Sequence, residues 1–473
     1  MIRGYAEQPS PRAGGTLVLR VATGAPEFRV EFHRYGSALR PAGGSDWLPG
    51  ADAPPHLPFQ DWGSPGTGLR DEPLPGWAAY PMRAPDTPGL YVALLVEGDG
   101  RGRDATRPDP GTPDGREARA LFVVRPAEPT AAVLYKLPLF TYHAYNLACG
   151  PAFDPQTGHG QWCLYNQPRP EDLPRPVPAG VSLHRPGGGT GGHPYDIANH
   201  DPYDPTPRQT FAHWDARFTA WLARAGYAVD FCTDLDLHRD GGALLEPYRL
   251  LVSAGHDEYW SDAMRDAVEG WVRGGGNAAF FGGNTCWWRV AFHDEVTYER
   301  TGLWHEHGRP ENALTGVSFR NGGERDRDDH PIRVGFRVQH AGHWVFEGTG
   351  VRDGDVFGER DYLVGYECDG AEFDRAAYEA GGRATPTGAD GTPADFTILA
   401  VGDCRPSGWG MGNGAATLGV HTPGGPPSDH PISDGPPSDG TVFTAATTDW
   451  VRGLDRCPVV ERITRNVLDR LGR

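Results

Sequence analysis

Short segments of alternating or mostly apolar residues recur along the first quarter of the chain. Clusters of Gly, Pro and Asp separate these segments, which cover residues 16–23, 28–36, 90–98 and 119–126. Within residues 28–36, apolar and polar side chains alternate with a period of two, which places one face of a strand in a core and the other in water. Several short strands with turn signals between them predict a β-sandwich over residues 1–127.

From residue 128 onward, apolar runs alternate with stretches of helical period. The apolar runs predict four strands, some with their exit loops, over residues 131–140, 227–238, 248–260 and 277–288. Trp214, Phe218 and Trp221 lie at helical spacing before the second strand, and Ser261 is a favourable N-cap for a helix after the third. This alternation predicts a parallel, doubly wound α/β domain over residues 128–473.

Three further stretches complete the predicted second domain. Residues 147–209 are rich in Gly, Pro, His and Tyr, and a loop of this length is usually functional or disordered. Residues 290–445 return to short β-like segments, which we interpret as a β-rich extension of the same domain. Residues 458–471 predict a final helix, with Pro458 at its first position and an apolar stripe along one face.

Composition and charge narrow the classes of function. The formal net charge is −18 and there is no basic stripe, which argues against nucleic-acid binding. The seven cysteines show no paired spacing, so neither a disulfide framework nor a zinc ribbon is expected. The N-terminus has no apolar signal segment, and no run of about 18 apolar residues predicts a membrane span. We therefore expect a cytoplasmic protein with a small-molecule substrate.

Polar side chains follow all four predicted strands. In open parallel sheets, ligands bind beyond the carboxyl ends of the strands, so these side chains are expected to face one site. In chain order they are Tyr142, His143, Tyr145 and Asn146; Asp234, Asp236 and His238; His256, Asp257, Glu258 and Tyr259; and Asn284, Thr285 and Cys286. The convergence of four such groups predicts a functional site more strongly than any single motif.

The third of these loops carries the densest chemistry. Its sequence GHDEY places an imidazole, two carboxyls and a phenol at residues 256–259, and such groups serve as metal ligands or as acid–base catalysts. The acids of this loop have the alternative role of capping the helix that begins near Ser261. His238 either lines the site, oriented by Asp236, or ties down a local turn.

Two other features leave alternatives open. Residues 305–307, His-Glu-His, form a second candidate ligand group if they lie on a strand, which would point both rings to one face; a solvated turn is the alternative. Cys286 lies at a strand exit, as a thiol nucleophile would, although most free cysteines are small buried hydrophobes. The GxSxG, HExxH and post-strand GxGxxG signatures are absent, which argues against serine hydrolases, zincins and dinucleotide-binding enzymes.

Six motifs occur in an order that is found in one known family. They are LPLFTYHAYN (137–146), TDLDLH (233–238), GHDEYWS (255–261), GGNAAFFGGNTCWWR (275–289), HWVFEGTGVRDGDVFG (343–358) and TTDWVRGL (447–454). With these motifs, the chain resembles the N,N-dimethylformamidase large (beta) subunit-like family over most of its length. The resemblance implies a β-sandwich followed by a glutamine-amidotransferase-like α/β domain.

The resemblance also implies an amidohydrolase that holds one iron ion (Fe³⁺) with two tyrosines and one glutamate. Tyr259 of GHDEY looks like one of these ligands. Tyr227 is the nearest candidate for the second phenolate, and its rivals are Tyr142 and Tyr145. Glu306 is taken as the carboxylate, and its competitors are Glu258 and Glu299. The chain departs from the family pattern at Asp257, where Pro is expected, and at Trp287, where an aromatic phenol is common.

Further residues are assigned to the chemistry of this predicted site. The side chains expected to move protons or to orient the substrate are Glu258, His256, His238 and Asn284. The side chains expected to line the substrate pocket are Tyr142, His143, Tyr145, Asn146, Trp287 and Trp288. The two tryptophans would exclude water and favour small apolar substituents.

Three functions stay open on the sequence alone. The first is a metal-dependent hydrolase that cleaves the C–N bond of a small amide. The second is a non-catalytic protein that binds a carbohydrate or another small molecule in the same tryptophan-rich pocket. The third is a thiol hydrolase that uses Cys286. Homo-oligomerisation is compatible with each of them, and the sequence gives no basis for inferring a small subunit.

Overall fold

A computed structural model describes residues 2–52, 77–101, 117–146, 164, 180–184, 210–324, 334–404, 414–423 and 440–473. The chain forms two compact units, which we describe separately. Unit 1 comprises Met1–Glu128, Leu139–Thr233 and Val290–Arg300, and unit 2 comprises Pro129–Pro138, Asp234–Arg289 and Thr301–Arg473. Most of the loop predicted over residues 147–209 lies outside the described residues. The fold mixes α and β structure, as the sequence predicted.

Strands dominate the described part of the chain. They are β1 (Arg3–Ala6), β2 (Thr16–Ala22), β3 (Glu27–Arg34), β4 (Arg40–Gly44), β5 (Leu48–Pro49), β6 (Ala78–Arg83), β7 (Gly89–Gly98), β8 (Glu117–Val124), β9 (Val133–Leu137), β10 (Val181–Ser182), β11 (Asp230–Thr233), β12 (Leu250–His256), β13 (Tyr259–Ser261), β14 (Asn277–Gly283), β15 (Trp288–Phe292), β16 (Thr297–Leu303), β17 (Ser318–Gly323), β18 (Phe336–Val338), β19 (Val356–Phe357), β20 (Cys368–Gly370), β21 (Thr397–Asp403), β22 (Ala415–His421) and β23 (Val442–Thr444).

Helices are fewer and mostly short. The α-helices are α1 (Leu139–Ala144), α2 (Asp215–Ala225), α3 (Asp234–Leu245), α4 (Asp262–Arg273), α5 (Asn312–Thr315), α6 (Arg375–Glu379) and α7 (Pro458–Leu471). One-turn 3₁₀ helices cover Trp304–His307, Trp344–Phe346, Glu359–Asp361 and Trp450–Gly453. Within the described residues, no helix combines the length and the apolar character that crossing a membrane requires.

Unit 1 begins with the β-sandwich that the sequence predicted. One antiparallel sheet has the strand order β1-β2-β6, and the second has the order β4-β3-β7-β8, with β5 also paired to β3. Phe28, Val30 and Phe32 of β3 are buried and alternate with less buried residues, as the alternating sequence predicts. Leu19 of β2, Phe32 of β3 and Leu95 of β7 belong to one apolar core, which shows that the two sheets pack face to face.

The rest of unit 1 confirms one predicted helix and corrects one predicted loop. Helix α2 buries Phe218 and Trp221, and it ends at Gly226, whose φ of 86° is one that glycine adopts readily. The residues after β9 were expected to leave the strand as a loop. They instead form α1, so Tyr142 and His143 lie on a helix whose six residues are all buried. Because this segment is buried, its backbone N–H and C=O groups need hydrogen-bond partners, and a helix supplies such partners within the segment.

Unit 2 is built on a mixed sheet. Strands β9, β12, β14 and β23 are parallel neighbours in that order, and β12 and β14 are buried along their whole length. This parallel part matches the near-continuous apolar runs of the sequence, since such strands are covered on both faces. Beyond β23 the sheet continues with β22, β21, β18 and β19, which are antiparallel. These four antiparallel strands fall within residues 290–445, where a β-rich extension was expected.

Two helices in unit 2 differ in how well the sequence predicted them. Helix α4 begins where it was expected, because Ser261 is its N-cap and accepts the backbone N–H of Met264. Residues 234–238 were predicted as the exit loop of a strand, and that prediction is wrong. They form the first turns of α3, where the negative charges of Asp234 and Asp236 interact favourably with the positive end of the helix dipole.

Loss of the α4 cap is expected to lower stability measurably. In Ser261→Ala, the N–H of Met264 loses its acceptor at 3.3 Å and His238 loses a partner at 2.8 Å. We expect a loss of about 1 kcal/mol in the free energy of unfolding, read from the urea midpoint. Ser261→Gly should cost less than Ser261→Ala because glycine is tolerated at N-cap positions. Equal midpoints for wild type and Ser261→Ala would contradict a capping role.

Candidate functional site

Two neighbouring strands of unit 2 have their carboxyl ends side by side at the same edge of the sheet. Strands β12 and β14 are parallel, and their last residues, His256 and Gly283, pair across the ladder. A side chain would not fit at Gly283, because a Cβ atom there would lie 2.6 Å from the carbonyl oxygen of Glu367. Residue 367 therefore packs on the strand end and brings a third polar segment to the two that were predicted from the sequence.

Four buried polar side chains meet at this strand end. The Nε2 atom of His256 lies 2.8 Å from a carboxylate oxygen of Glu367 and 3.4 Å from one of Glu258. The carboxamide nitrogen of Asn284 donates to Glu258 at 3.2 Å and to Glu367 at 3.3 Å. All four residues are buried. We call His256, Glu258, Asn284 and Glu367 the acid–imidazole cluster.

The loop after β14 adopts a backbone conformation that non-glycine residues rarely adopt. Asn284 and Cys286 have φ angles of 51° and 59°. The carboxylate of Asp369 accepts the backbone N–H of Asn284 at 2.8 Å and that of Thr285 at 3.2 Å. The N–H of Cys286 donates to the carbonyl of Asp257 at 2.9 Å. Such conformations persist where the surroundings enforce them, often at functional sites, and here they position the Asn284 carboxamide.

The electrostatics of the cluster favour a bound positive charge. Burial alone would lower the pKa of His256, but the charges of Glu367 and Glu258 raise it above its ordinary value. Burial raises the pKa of Asp369 to about 7, although the N–H groups of Thr285 and Asn284 act against this shift. Three carboxyl groups around one imidazole leave an excess of negative charge away from water, which a proton or a cation relieves.

A second buried cluster is centred on Lys136 of β9. Its ammonium group donates to Asp234 and, at 2.8 Å, to Asp257. Asp257 also accepts the Ser253 hydroxyl at 2.5 Å and the Trp260 indole N–H at 3.0 Å. Burial alone would lower the pKa of Lys136, but its two carboxylate partners raise it above its ordinary value, so the amine stays charged. Asp257 is thus bound in an ion pair, and the N-cap of α4 is Ser261.

The tyrosines proposed as metal ligands lie in different units. Tyr259 is fully buried in β13 of unit 2, directly after Glu258. Tyr227 belongs to unit 1, is half-buried, and stacks on Trp221 with ring centroids 6.0 Å apart. Tyr366, which the sequence analysis did not select, packs against His256 in unit 2 with ring centroids 6.4 Å apart.

The other candidate carboxylate ligands are occupied elsewhere. Glu306 is exposed, and its carboxylate accepts the backbone N–H of Leu303 at 2.8 Å. Glu299 lies 3.4 Å from His293 in unit 1. Of the two alternatives left open for residues 305–307, a strand or a solvated turn, the structure shows a turn, because these residues form a 3₁₀ helix. A helical turn does not point alternate residues to one face, so the expected His-x-His pair loses its geometric basis.

Three further predicted residues make contacts that explain their positions. His238 lies on α3, and its Nδ1 atom is 2.8 Å from the hydroxyl of Ser261 at the start of α4. Trp287 is buried against Phe319, with ring centroids 5.5 Å apart. Trp288 is half-buried, and its backbone N–H donates to the carbonyl of Glu258 at 2.9 Å. The last of these contacts joins the residues after β14 to the GHDEY loop.

The residues predicted to follow the first strand form a buried group in unit 1. The hydroxyl of Tyr142 donates to Asp215, the first residue of α2. All four of the predicted residues are buried, namely Tyr142, His143, Tyr145 and Asn146. Because they belong to a different unit from the acid–imidazole cluster, their place in a common pocket stays a prediction.

Cys286 is a poor candidate for a nucleophile. It is fully buried, and burial raises the pKa of its thiol, so the reactive thiolate is disfavoured. Among the described residues, no three side chains of His, Cys, Asp and Glu are arranged to hold a metal ion.

Three of the four members of the acid–imidazole cluster were predicted from the sequence. These are His256, Glu258 and Asn284, which the structure brings together, whereas Glu367 and Asp369 were missed. A signal was present in the sequence YECDG, because acids two residues apart in an extended segment point to the same face. As assembled, the cluster can hold a proton at His256, accept one at a carboxylate and orient both through Asn284.

Comparison with known proteins gives the family of the chain. A sequence model of the family described as N,N-dimethylformamidase beta subunit-like, C-terminal, matches residues 78–462. The N,N-dimethylformamidase beta subunits of an Alcaligenes species and of Paracoccus aminophilus are each 32% identical to the chain over 81 residues. That segment is 17% of this chain and only 11% of each relative. The family match itself covers most of the chain, including the whole acid–imidazole cluster. The chain belongs to the N,N-dimethylformamidase beta subunit-like family.

Proposed function

We propose that this chain hydrolyses the C–N bond of a small, non-peptide amide and uses iron (Fe³⁺) as its metal. The observation that carries the proposal is the convergence of Glu258, Glu367 and Asn284 on His256. Such a cluster can move the protons that amide hydrolysis requires. The reaction class comes from the relatives, which are named N,N-dimethylformamidase beta subunits.

The residues around the cluster have the chemistry that a ferric ion requires. Phenolate and carboxylate oxygens are hard anionic donors, and the excess of buried negative charge suits a cation. Tyr259 would be one ligand, and either Glu258 or Glu367 fits the carboxylate better than the exposed Glu306. Tyr227 stays the proposed second phenolate. Tyr366 is a further candidate, and it belongs to unit 2, as Tyr259 does. When bound, the iron would supply Lewis acidity toward the amide carbonyl.

The protein's own side chains would handle the protons of the reaction. Water adds to the carbonyl carbon and the C–N bond then breaks, so one proton has to leave the water and one has to reach the amine nitrogen. A carboxylate oxygen of Glu258 or Glu367 accepts the first proton, and His256 holds a proton at Nε2 beside both carboxylates. Asn284 fixes the carboxylates by donating to each of them.

Other features belong to the same proposal. Trp287 and Trp288 would limit the access of water and favour small apolar substituents on the amide. We also propose that unit 2 is a glutamine-amidotransferase-like domain and that the protein is cytoplasmic. Tyr142 and Tyr145 of unit 1 are proposed to line the substrate pocket. The relatives are named as beta subunits, and we propose that this chain also assembles with further chains, including copies of itself.

Tyr259→Phe tests the metal directly. Phenylalanine keeps the ring that β13 buries and removes only the hydroxyl, so the fold is expected to survive. We expect protein purified without chelator to contain iron and to show a broad visible band from charge transfer between tyrosinate and iron(III). The variant is expected to lose both, as measured by elemental analysis and absorption spectroscopy.

Tyr91→Phe is the matched control, because its hydroxyl donates to the Thr87 carbonyl in the β-sandwich and should not affect iron. Tyr227→Phe and Tyr366→Phe then distinguish the two candidates for the second phenolate, since only the true ligand should alter the band. Unchanged iron content and an unchanged spectrum in Tyr259→Phe would refute the proposed ligand.

A further inference from the structure

The backbone that carries Glu367 is held by a segment from elsewhere in unit 2. Residues 447–449, Thr-Thr-Asp, follow β23 and lie against residues 363–368. Thr447 forms an antiparallel bridge with Cys368, and its hydroxyl donates to the Leu363 carbonyl at 2.5 Å. All three side chains of the segment are buried, and none of them belongs to the acid–imidazole cluster. We call residues 447–449 the TTD clamp.

Thr448 makes three hydrogen bonds with the backbone of Glu367. The backbone N–H of Thr448 donates to the Glu367 carbonyl at 3.0 Å. The hydroxyl of Thr448 donates to the same carbonyl at 3.3 Å and accepts the N–H of Glu367 at 3.4 Å, since a hydroxyl can do both at once. The backbone of Glu367 is therefore fixed on both sides of the Cα atom that carries the carboxylate.

Asp449 holds the residue before Glu367 in the same way. Its Oδ2 atom accepts the backbone N–H of Tyr366 at 3.0 Å, and its Oδ1 atom lies 3.0 Å from the guanidinium group of Arg452. Gly365 permits this approach, because a Cβ atom there would collide with Oδ2. The TTD clamp thus fixes two consecutive residues, and both of their side chains contact His256.

We propose that Thr448 and Asp449 are positioning residues, which hold Glu367 and Tyr366 against His256 and affect catalysis only through them. A carboxylate that exchanges protons with an imidazole has to stay within about 2.6–3.2 Å of it, and the contact between Glu367 and His256 is 2.8 Å. A small displacement of the backbone at residue 367 would break that contact. The resulting loss of amide hydrolysis rests on the proposed function, whereas the geometry of the contact does not.

Crystal structures of the full chain test the positioning. Thr448→Val keeps the size of the side chain and removes its hydroxyl, so Glu367 loses two of its three hydrogen bonds to the clamp. We expect the Glu367 carboxylate to move out of hydrogen-bonding reach of His256, to more than about 3.5 Å. The wild type should keep the short contact, and a short contact that persists in Thr448→Val would overturn the proposal.

Thr444→Val is the matched control. Thr444 lies on β23, just before the clamp, and its buried hydroxyl has no hydrogen-bond partner within the part of the chain that the structure describes. The contact between Glu367 and His256 should therefore be unchanged in this variant. Loss of the contact in Thr444→Val as well would overturn the specific role of Thr448.

Variants of Asp449 decide the question if Thr448→Val folds poorly. Asp449→Asn retains an oxygen that can accept the Tyr366 N–H, whereas Asp449→Ala retains none. The ring of Tyr366 should stay on His256 in the first variant and shift away in the second. An unshifted ring in Asp449→Ala would refute the role of Asp449.

The second arm measures amide hydrolysis with variants that circular dichroism shows to be folded at the assay temperature. Thr448→Val should lower kcat by about 10²-fold, the cost of a misplacement of about 1 Å, with little change in KM. Thr448→Ser keeps the hydroxyl and should restore kcat to within a small factor of the wild type. A lost contact without a fall in kcat would overturn the link to catalysis. No hydrolysis by the wild type would count against the proposed function and leave the crystallographic result intact.

Discussion

Lys136→Met is expected to lower the free energy of unfolding by about 3–5 kcal/mol, the cost of breaking a buried ion pair by removing one partner. The ammonium group of Lys136 is fully buried and contacts Asp234 and Asp257, which are buried as well. Methionine has a similar length and no charge, so the variant keeps the packing but leaves two carboxylates in the core without their cation. Urea unfolding followed by far-UV circular dichroism would measure the loss.

The size of this loss is expected to depend on pH in one direction. The pKa of Lys136 in the folded protein is raised above the ordinary pKa of a lysine. The ion pair therefore stabilises the fold fully at pH values below the ordinary pKa, and this stabilisation is lost only as the pH rises through the folded-state pKa. The difference between wild type and variant should therefore stay constant from mildly acidic to mildly alkaline pH and shrink only as the pH rises above the ordinary pKa of a lysine.

Two further variants separate charge from packing. Lys136→Arg should also be destabilised, because the guanidinium group is larger and planar and the site around Lys136 is fully buried. Combining Lys136→Met with Asp234→Asn and Asp257→Asn should recover part of the loss, since no buried charge then lacks a partner. A urea midpoint of Lys136→Met equal to that of the wild type would show that the ion pair adds no stability.

Lys136 is a charged residue at a position that the hydrophobic pattern assigns to a buried strand. It is the only lysine in a chain with 44 Lys and Arg residues, and it stands in the otherwise apolar strand VLYKL. A single charged residue in a strand covered on both faces needs a buried partner of opposite charge. The lone lysine of this apolar strand therefore predicts a buried carboxylate partner, and the structure supplies Asp234 and Asp257.

The fold was predictable where local pattern and tertiary structure agree. The apolar runs located β12 and β14 because both strands are covered on both faces, and Ser261 located the start of α4 because its hydroxyl satisfies a backbone N–H. The errors came where polar residues were read as loops. Asp234 and Asp236 begin α3, since acids at a helix N-terminus resemble acids in a turn when only the sequence is considered.

The site was predictable only within short stretches of sequence. His256 and Glu258 share one loop, and the rule for strand ends was enough to place Asn284 beside them. Glu367 is 83 residues from Asn284 along the chain. Its arrival at the strand end depends on the packing of its backbone on Gly283, a contact that no periodicity of the sequence encodes.

Glu258→Gln and Glu367→Gln are expected to lower the kcat/KM of amide hydrolysis by about 10²–10⁴-fold, the usual contribution of a positioned acid or base. Glutamine keeps the size of glutamate and its hydrogen bond with Asn284, but it cannot accept a proton. The release of amine from N,N-dimethylformamide and from N-methylformamide is the measurement. Both substrates are needed, because similarity to N,N-dimethylformamidase beta subunits does not determine which amide this chain prefers.

Glu306→Gln and Glu299→Gln are the matched controls. The Glu306 carboxylate is exposed and accepts the backbone N–H of Leu303, and Glu299 lies beside His293, so neither change should affect the rate by more than a small factor. If Glu306→Gln abolishes activity while Glu258→Gln and Glu367→Gln are both active, the acid–imidazole cluster is not the catalytic site.

Iron content distinguishes the roles of the two buried glutamates. A glutamate that ligates the metal should lose iron and activity together on conversion to glutamine, because a neutral amide is a weaker ligand for a hard cation than a carboxylate. A glutamate that only carries a proton should keep the iron and lose the rate. Glu367 makes the shorter contact with His256, 2.8 Å against 3.4 Å for Glu258. Glu258 directly precedes Tyr259, the proposed phenolate ligand. We therefore expect Glu258→Gln to lose iron and Glu367→Gln to keep it, and the reverse result would exchange the two roles while leaving the site in place.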